Sequence, residues 1–435
     1  MRHLKFVATI LYLFSFQAHA VVEVKELTTP AGIKVWFSPH NTSSIVSMSY
    51  SFWAGGVTDA PEKMGTADIA AEMLGEGAGE FDKKALEEQL QDFAIRMAFS
   101  NSLEHLSGSM MAPKEFLGKA ATLTRLALTQ PRLKQKDFKR LVDEQLIQIA
   151  NEEKNPNHLA DRALLQSLFP GHPYSNELNG TRDTVKKITL QDVKQYLDNY
   201  LAQDNLLVAI TGDLSEQDAM ALVDSIFATL PKKAKTVKLP ATPKVDVEEI
   251  KVVDMAIPQS VVSFGQYGPK VDDPEILKSV VLLHIIGGND TARMMMEIRE
   301  DRGLAYYANA GLYAFDKAGM VYGSLATANE KVNESISITQ DIWQRIQKDG
   351  PTQEELDNTK KLLIGSYPMR FTNSGLITKI MLGYMETRKP VSYFTERKKL
   401  IEDISIEDIR TTASNMLTPQ QLTFVVVGQP AKKNG

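Results

Sequence analysis

The chain has 435 residues, 43% of them hydrophobic and 24% charged, with a formal net charge of −5 and no cysteine. This is the balance of a globular protein of about two to four domains. The mild acidity gives no argument for nucleic acid, which calls for a basic face, and none is expected as a partner. The lack of thiols excludes thiol catalysis, Cys-ligated zinc and iron–sulfur chemistry.

Arg2, His3 and Lys5 precede an apolar run from Phe6 to Phe16, and Ala18 and Ala20 follow as small residues at −3 and −1. The pattern predicts a secretory signal over residues 1–20, cleaved behind Ala20. The run is too short to cross a hydrocarbon core about 30 Å thick, and no later segment is apolar for long enough. A soluble, periplasmic or secreted chain is therefore expected, held by a hydrophobic core instead of disulfides and without stable membrane insertion.

From Val24 the expected order is strand, strand, helix. Pro30-Ala-Gly32 reads as a hairpin turn between β-prone segments. Ile45 to Trp53 alternates, with Val46, Met48, Tyr50 and Phe52 against Ser47, Ser49 and Ser51, and predicts a strand. A helix is expected over Gly65 to Leu74, then an amphipathic one over Lys83 to Phe93, then one or two strands from Ile95 to Met111. Helical segments follow at Pro113 to Thr129, Lys136 to Asn151, His158 to Leu168 and Leu190 to Tyr200. Leu206 to Gly212 reads as a buried strand, and Glu216 to Ala228 as the closing helix.

This order recurs. Ile188 to Val193, a helix, and Leu206 to Gly212 are matched by Ile404 to Ile409, a helix, and Leu422 to Gly428, at an offset of 216 residues. Ser44-Ile-Val-Ser47 meets Ser260-Val-Val-Ser263 at the same spacing. The expectation is an α+β fold of two homologous halves, each a mixed or antiparallel sheet packed with helices. Their predicted extents are 21–235 and 249–430, joined by an exposed, fairly stiff Lys- and Pro-rich linker across 236–248.

One stretch in the second half carries the strongest chemical signal. Ile285-Ile-Gly-Gly opens a helical segment that stops at Gly303, and Leu304-Ala-Tyr-Tyr307 starts a strand. Helical periodicity groups Met295, Ile298 and Arg302 on one face. Gly303 suits a C-cap that needs positive φ. Across that turn Arg299, a fixed donor fork, and Tyr306, a donor and acceptor, can converge on a peptide carbonyl.

Gly65-Thr-Ala, Phe169-Pro-Gly-His-Pro-Tyr174 with Gly180-Thr181, Ile286-Gly-Gly and Ile298-Arg-Glu-Asp-Arg-Gly-Leu-Ala-Tyr306, together with the duplication, resemble the insulinase/pitrilysin-type (inverzincin) metallopeptidases, which include the mitochondrial processing peptidases. The resemblance covers essentially the whole mature chain and implies one half of a clamshell closing around a peptide. Active members carry H-x-x-E-H on the helix after Gly-x-Ala: two His bind zinc, the Glu activates water, and a downstream Glu completes the site. Here Asp68 and Glu72 stand at the His positions, Ala71 at the base and Gln148 at the downstream ligand.

Ala71 cannot accept a proton from water. The oxygens of Asp68, Glu72 and Gln148 are a poor zinc set, and without dedicated geometry they fall short of a calcium or magnesium site. His40, His105, His158, His172 and His284 show no paired ligand spacing. Family members also use an Arg and a Tyr seven residues apart to grip the substrate backbone, and Arg299 and Tyr306 keep that spacing. The resemblance thus implies a non-catalytic, substrate-binding subunit with no cofactor of its own. A paralogous zinc-bearing partner would hold the metal, and the ligand would be unfolded peptide. The alternatives are a peptide-binding or structural relative without proteolytic role, and a hydrolase with a rearranged metal site.

Overall fold

The computed structural model describes residues 22–243 and 250–431. The expected signal over 1–20 and part of the expected linker, 244–248, lie outside the described residues.

The first half runs β1 (Lys25–Thr28), β2 (Lys34–Pro39), β3 (Ile45–Trp53), α1 (Thr66–Met73), a two-residue pair β4 (Gly77–Ala78) and β5 (Phe81–Asp82), and α2 (Lys83–Asp92). Next come β6 (Arg96–Asn101), β7 (His105–Pro113), α3 (Leu117–Thr129), α4 (Gln135–Glu152) and α5 (Pro156–Leu168). The short α6 (Arg182–Val185), α7 (Leu190–Tyr200), β8 (Leu206–Gly212) and α8 (Glu216–Phe227) close it.

The second half opens with β9 (Ile250–Asp254), β10 (Gln259–Tyr267), α9 (Ile276–Gly287) and a π-helix (Met295–Glu300). It continues through β11 (Ala305–Ala314), β12 (Gly319–Ala328), α10 (Val332–Asp349), α11 (Gln353–Gly365) and α12 (Ser374–Glu386). The last elements are α13 (Tyr393–Glu402), α14 (Ile406–Met416) and β13 (Thr423–Gly428).

Each half builds one sheet, in the orders β1-β2-β8-β3-β7-β6 and β11-β12-β10-β13-β9. Pairing is antiparallel except for β2 with β8 and β9 with β13, which are parallel. One core lies under the first sheet, with Phe37, Tyr50, Phe52 and Phe227 fully buried; the other surrounds Phe264, Trp343 and Phe424.

The halves are joined by an exchange of helices. α5, from the first half, packs on β10 and β13 of the second sheet, and α12, from the second half, packs on β3 and β8 of the first. The serine faces of β3 and β10 are therefore covered. Ser47 and Ser49 meet the hydroxyls of Ser374 and Thr378 at 2.8 Å each, and Ser263 donates to Asp161 at 2.6 Å. Buried hydroxyls need such partners, so the polar side of each strand specifies the helix lent by the other half.

The duplication keeps a different register in its first strands from the uniform offset of 216. A Cβ on Gly212 would press on Val46, and one on Gly428 on Ser260; a Cβ on Gly108 would press on Tyr50, and one on Gly323 on Phe264. Val46 thus corresponds to Ser260 and Tyr50 to Phe264, an offset of 214 (46 to 260, 50 to 264). The Ser-x-x-Ser match at 216 is therefore two residues out of register with the structural one. A two-residue slip leaves every side chain on its own face, so a repetitive alternating strand does not betray it.

The chain between the halves, where described, is mostly exposed but tied down. His172 bonds the carbonyl of Pro240 at 3.1 Å, and the Tyr267 hydroxyl donates to that of Pro243 at 2.8 Å. His172 also accepts from the Tyr174 backbone at 3.1 Å, so this histidine holds a turn.

Candidate substrate-gripping site and degenerate metal helix

α1 is fixed at its start by Asp59, whose carboxylate accepts from the backbone of Gly65 at 2.8 Å and Ala67 at 3.0 Å. Gly65 adopts φ 97°, which a glycine tolerates without strain. The helix then places Ala71 in the core, Asp68 half-buried and Glu72 exposed. Burial, then the charges of Glu72 and Glu152, push the Asp68 carboxyl up to about 7. Burial, then Glu144 and Glu76, raise Glu72 in the same direction.

Gln148, on α4, is exposed and donates to Glu152 at 3.0 Å. Among the described residues no hydrogen bond joins Asp68, Glu72 and Gln148, and no three His, Asp or Glu side chains come close enough to hold a metal ion. With two hard carboxylates, an amide and no imidazole, the donor set does not fit zinc.

α4 and α5 contribute a polar cluster that sequence reasoning missed. Glu152 accepts from Asn179 at 2.7 Å, and the His158 ring lies 3.4 Å from Glu177, which also pairs with Arg162. The His158/Arg162 spacing on one helix was the available signal, but their carboxylate partners are distant in sequence.

At the second candidate site the segment before β11 is π-helical: Asp301 donates to the Met296 carbonyl, five residues back, at 2.9 Å. Such turns recur at functional sites. Met295 and Ile298 are buried, but Arg302, expected beside them, is exposed and caps the Glu297 carbonyl at 2.7 Å. The wider turn rotates it off the α-helical face. Ion pairs hold the segment to its neighbours, Arg293 to Glu355 on α11 and Arg345 on α10 to Glu297. Gly303 takes φ 59°, and the Leu304 amide closes on the Ile298 carbonyl at 2.9 Å.

β11 then begins with a bulge: Ala305 pairs with Thr327 but Ala308 with Leu325, so Tyr306 and Tyr307 face a single residue. A bulge re-aims side chains. Tyr307 turns toward Asn157 on α5, at 3.4 Å, and Tyr306 projects outward, 79% exposed. The Arg299 guanidinium carbon lies 5.3 Å from the Tyr306 ring centre. Its contact with Glu300, at 3.4 Å, is an exposed ion pair of little strength. The Arg299 side chain is itself 40% exposed.

β6 and β11 each form one edge of their sheet, opposite β1 and β9. β6, including Arg96 to Ser100, has no fully buried residue. α1 lies against β6 and α9 against β11. Each open strand is thus backed by a helix of its own half.

Two sheets of one plan, each covered by a helix lent from the other half, define the architecture. A protein-family profile described as "Peptidase M16 inactive domain" matches residues 187–363. A Helicobacter pylori protein named "Non-peptidase homolog YmxG" is 25% identical over 98% of this chain and 99% of its own length. A Schizosaccharomyces pombe protein named "Probable mitochondrial-processing peptidase subunit beta" is 20% identical over 95% of this chain and 93% of its own. The crystal structure of a Pseudomonas fluorescens peptidase M16 inactive domain superposes with a TM-score of 0.89 at 24% identity, covering 94% of this chain and 98% of that one; this likeness establishes the fold. The chain is thus similar to proteins described as inactive or non-peptidase relatives of peptidases, over 98% of its length in the Helicobacter pylori case.

Proposed function

We propose that this chain is the non-catalytic, substrate-binding subunit of a heterodimeric zinc metalloendopeptidase, working in the periplasm or outside the cell. The observation that carries the reading is the pairing of an intact, solvent-facing Arg299/Tyr306 unit with a helix that has Ala71 where a base is needed. A zinc-bearing paralogue supplies the metal, its ligands and the general base. This chain closes the clamshell and presents the guanidinium and phenol to the substrate carbonyl. Donors held in place before the reaction stabilise the charge that develops on that oxygen.

The M16 relative named as a processing-peptidase subunit supports pairing between related chains. Export is supported by the charged, apolar and small-residue pattern over 1–20. Among the described residues no helix is long and apolar enough to cross a membrane. The open edge of β6 gives extended peptide a backbone to pair with. The test is turnover of a peptide by this chain mixed with its zinc-bearing paralogue, compared with the Arg299→Ala mixture. Loss of turnover in the variant supports the reading, and wild-type turnover returns the chain to a scaffolding role.

A further inference from the structure

α11 and α12 are joined through a tight turn at Pro368–Arg370, and large apolar side chains stand out of the protein around it. Leu362 near the end of α11 is 43% exposed, Met369 at the turn 68%, and Leu376 at the start of α12 40%. The backbone beneath them is fixed. The Ser366 amide closes on the Leu362 carbonyl at 3.0 Å and the Arg370 amide on that of Tyr367 at 3.1 Å. Asn373 caps α12 by accepting from the Leu376 amide at 3.0 Å. Tyr367 is buried, with the Arg397 guanidinium 4.3 Å from its ring centre and Phe371 edge-on at 4.9 Å. The apolar tips are thus presented by a well-anchored turn.

The charge around them has one sign. Residues 358–385 contain Lys360, Lys361, Arg370 and Lys379 and no Asp or Glu, in a chain whose net charge is −5. Lys360 donates to a backbone carbonyl, that of Glu402, at 2.8 Å. Lys361, Arg370 and Lys379 are exposed, and no carboxylate among the described residues forms an ion pair with them. The carboxylates on adjoining turns are engaged elsewhere. Asp357, one turn before Lys361, accepts from Gln353 at 2.8 Å. On α13, which packs on α11, Glu402 and Asp403 face Lys398 and Lys399 at 3.8 and 2.8 Å.

Exposed apolar groups rimmed by polar ones mark a surface that meets protein or membrane. An acidic protein face would satisfy the cations but leave Leu362, Met369 and Leu376 against polar groups. An anionic bilayer satisfies both, taking apolar tips into its acyl boundary and basic groups at its phosphates. We propose that the α11–α12 turn, with Leu362, Met369 and Leu376 exposed among Lys361, Arg370 and Lys379, docks this chain on the surface of an anionic phospholipid bilayer. The contact is peripheral: among the described residues no helix is long and apolar enough to cross the membrane. This goes beyond the peptide-binding reading and does not rest on it.

The test exploits the absence of cysteine. Met369→Cys and, as a control on α2, Glu88→Cys are each labelled with an environment-sensitive fluorophore. Each labelled chain is titrated with vesicles of phosphatidylcholine, alone or with an equal share of phosphatidylglycerol. A blue shift is expected at residue 369 only, with affinity for the anionic vesicles about tenfold or more above that for phosphatidylcholine alone. Co-sedimentation then compares unlabelled variants. Lys361→Gln, Arg370→Gln and Lys379→Gln each weaken binding about fivefold. Met369→Gln weakens it about tenfold, with the thermal midpoint unchanged. No binding to anionic vesicles at low salt, equal shifts at residues 369 and 88, or binding that survives the three basic-residue substitutions overturns the inference. Binding to polyglutamate as tight as to the vesicles, and undiminished in Met369→Gln, also overturns it and assigns the turn to an acidic protein.

Discussion

The Arg299 guanidinium carbon lies 5.3 Å from the centre of the Tyr306 ring, and the guanidinium's ion pair with Glu300 is an exposed one. The arrangement contributes little to folding, since an exposed cation–π contact is worth about 0.5–1 kcal/mol. Arg299→Ala and Tyr306→Ala should therefore shift the thermal stability of the isolated chain by less than about 1 kcal/mol. In the mixture with a zinc-bearing paralogue, each should lower turnover by roughly 10²–10³, the effect of removing one oxyanion donor. Steady-state kinetics beside a thermal melt checks both.

Gly303 adopts φ 59°, and a Cβ there would meet nothing within 4 Å. Gly303→Ala thus tests backbone strain without steric clash. It should cost about 1–2 kcal/mol in denaturant unfolding, and it should reduce the complex's turnover by moving the turn that aims Tyr306. Gly311→Ala in β11, with the same open space and no positive φ, is the control and should change neither.

The Asp68 carboxyl is pushed up to about 7 from an ordinary 3.8. With the folded pKa above the unfolded one, the folded chain keeps a proton that the unfolded chain releases. This group's contribution to stability is therefore present below about pH 4 and lost as pH rises toward about 7. Asp68→Asn should be more stable than wild type by on the order of 2 kcal/mol at pH 8, after screening, and about equal to it at pH 4. Urea midpoints at the two pH values measure the difference.

The metal helix makes a compositional prediction. Purified wild-type chain should carry far less than stoichiometric zinc after dialysis, because Asp68, Glu72 and Gln148 are hard oxygen donors without imidazole. Asp68→His, Ala71→Glu, Glu72→His and Gln148→Glu combined should raise zinc retention, measured by elemental analysis. Stoichiometric zinc in the wild-type chain would contradict the account.

Local signals carried much of this. The strand Ile45–Trp53, the helix Leu190–Tyr200 and the strand Leu206–Gly212 match their expected ends, because each is strongly periodic and sharply bounded. Gly303 announced its positive φ through residue type alone. What failed depended on partners distant in the chain. The serine faces of β3 and β10 look like solvent faces until α12 and α5 are laid on them. The two-residue slip between Val46 and Ser260 is invisible in a strand of period two. Arg302 left its expected face because a π turn is not encoded in α-helical spacing.

The central claim is that this chain contributes to proteolysis only in trans. The most direct measurement is a peptidase assay of the purified chain, alone and mixed with a paralogue bearing the intact inverted zinc motif, with metal analysis of each protein. The account predicts cleavage only in the mixture, zinc only in the paralogue, and loss of cleavage when Arg299→Ala replaces the wild-type chain. Metal-dependent cleavage by this chain alone would contradict it, and would make the helix bearing Asp68 and Glu72 a working site.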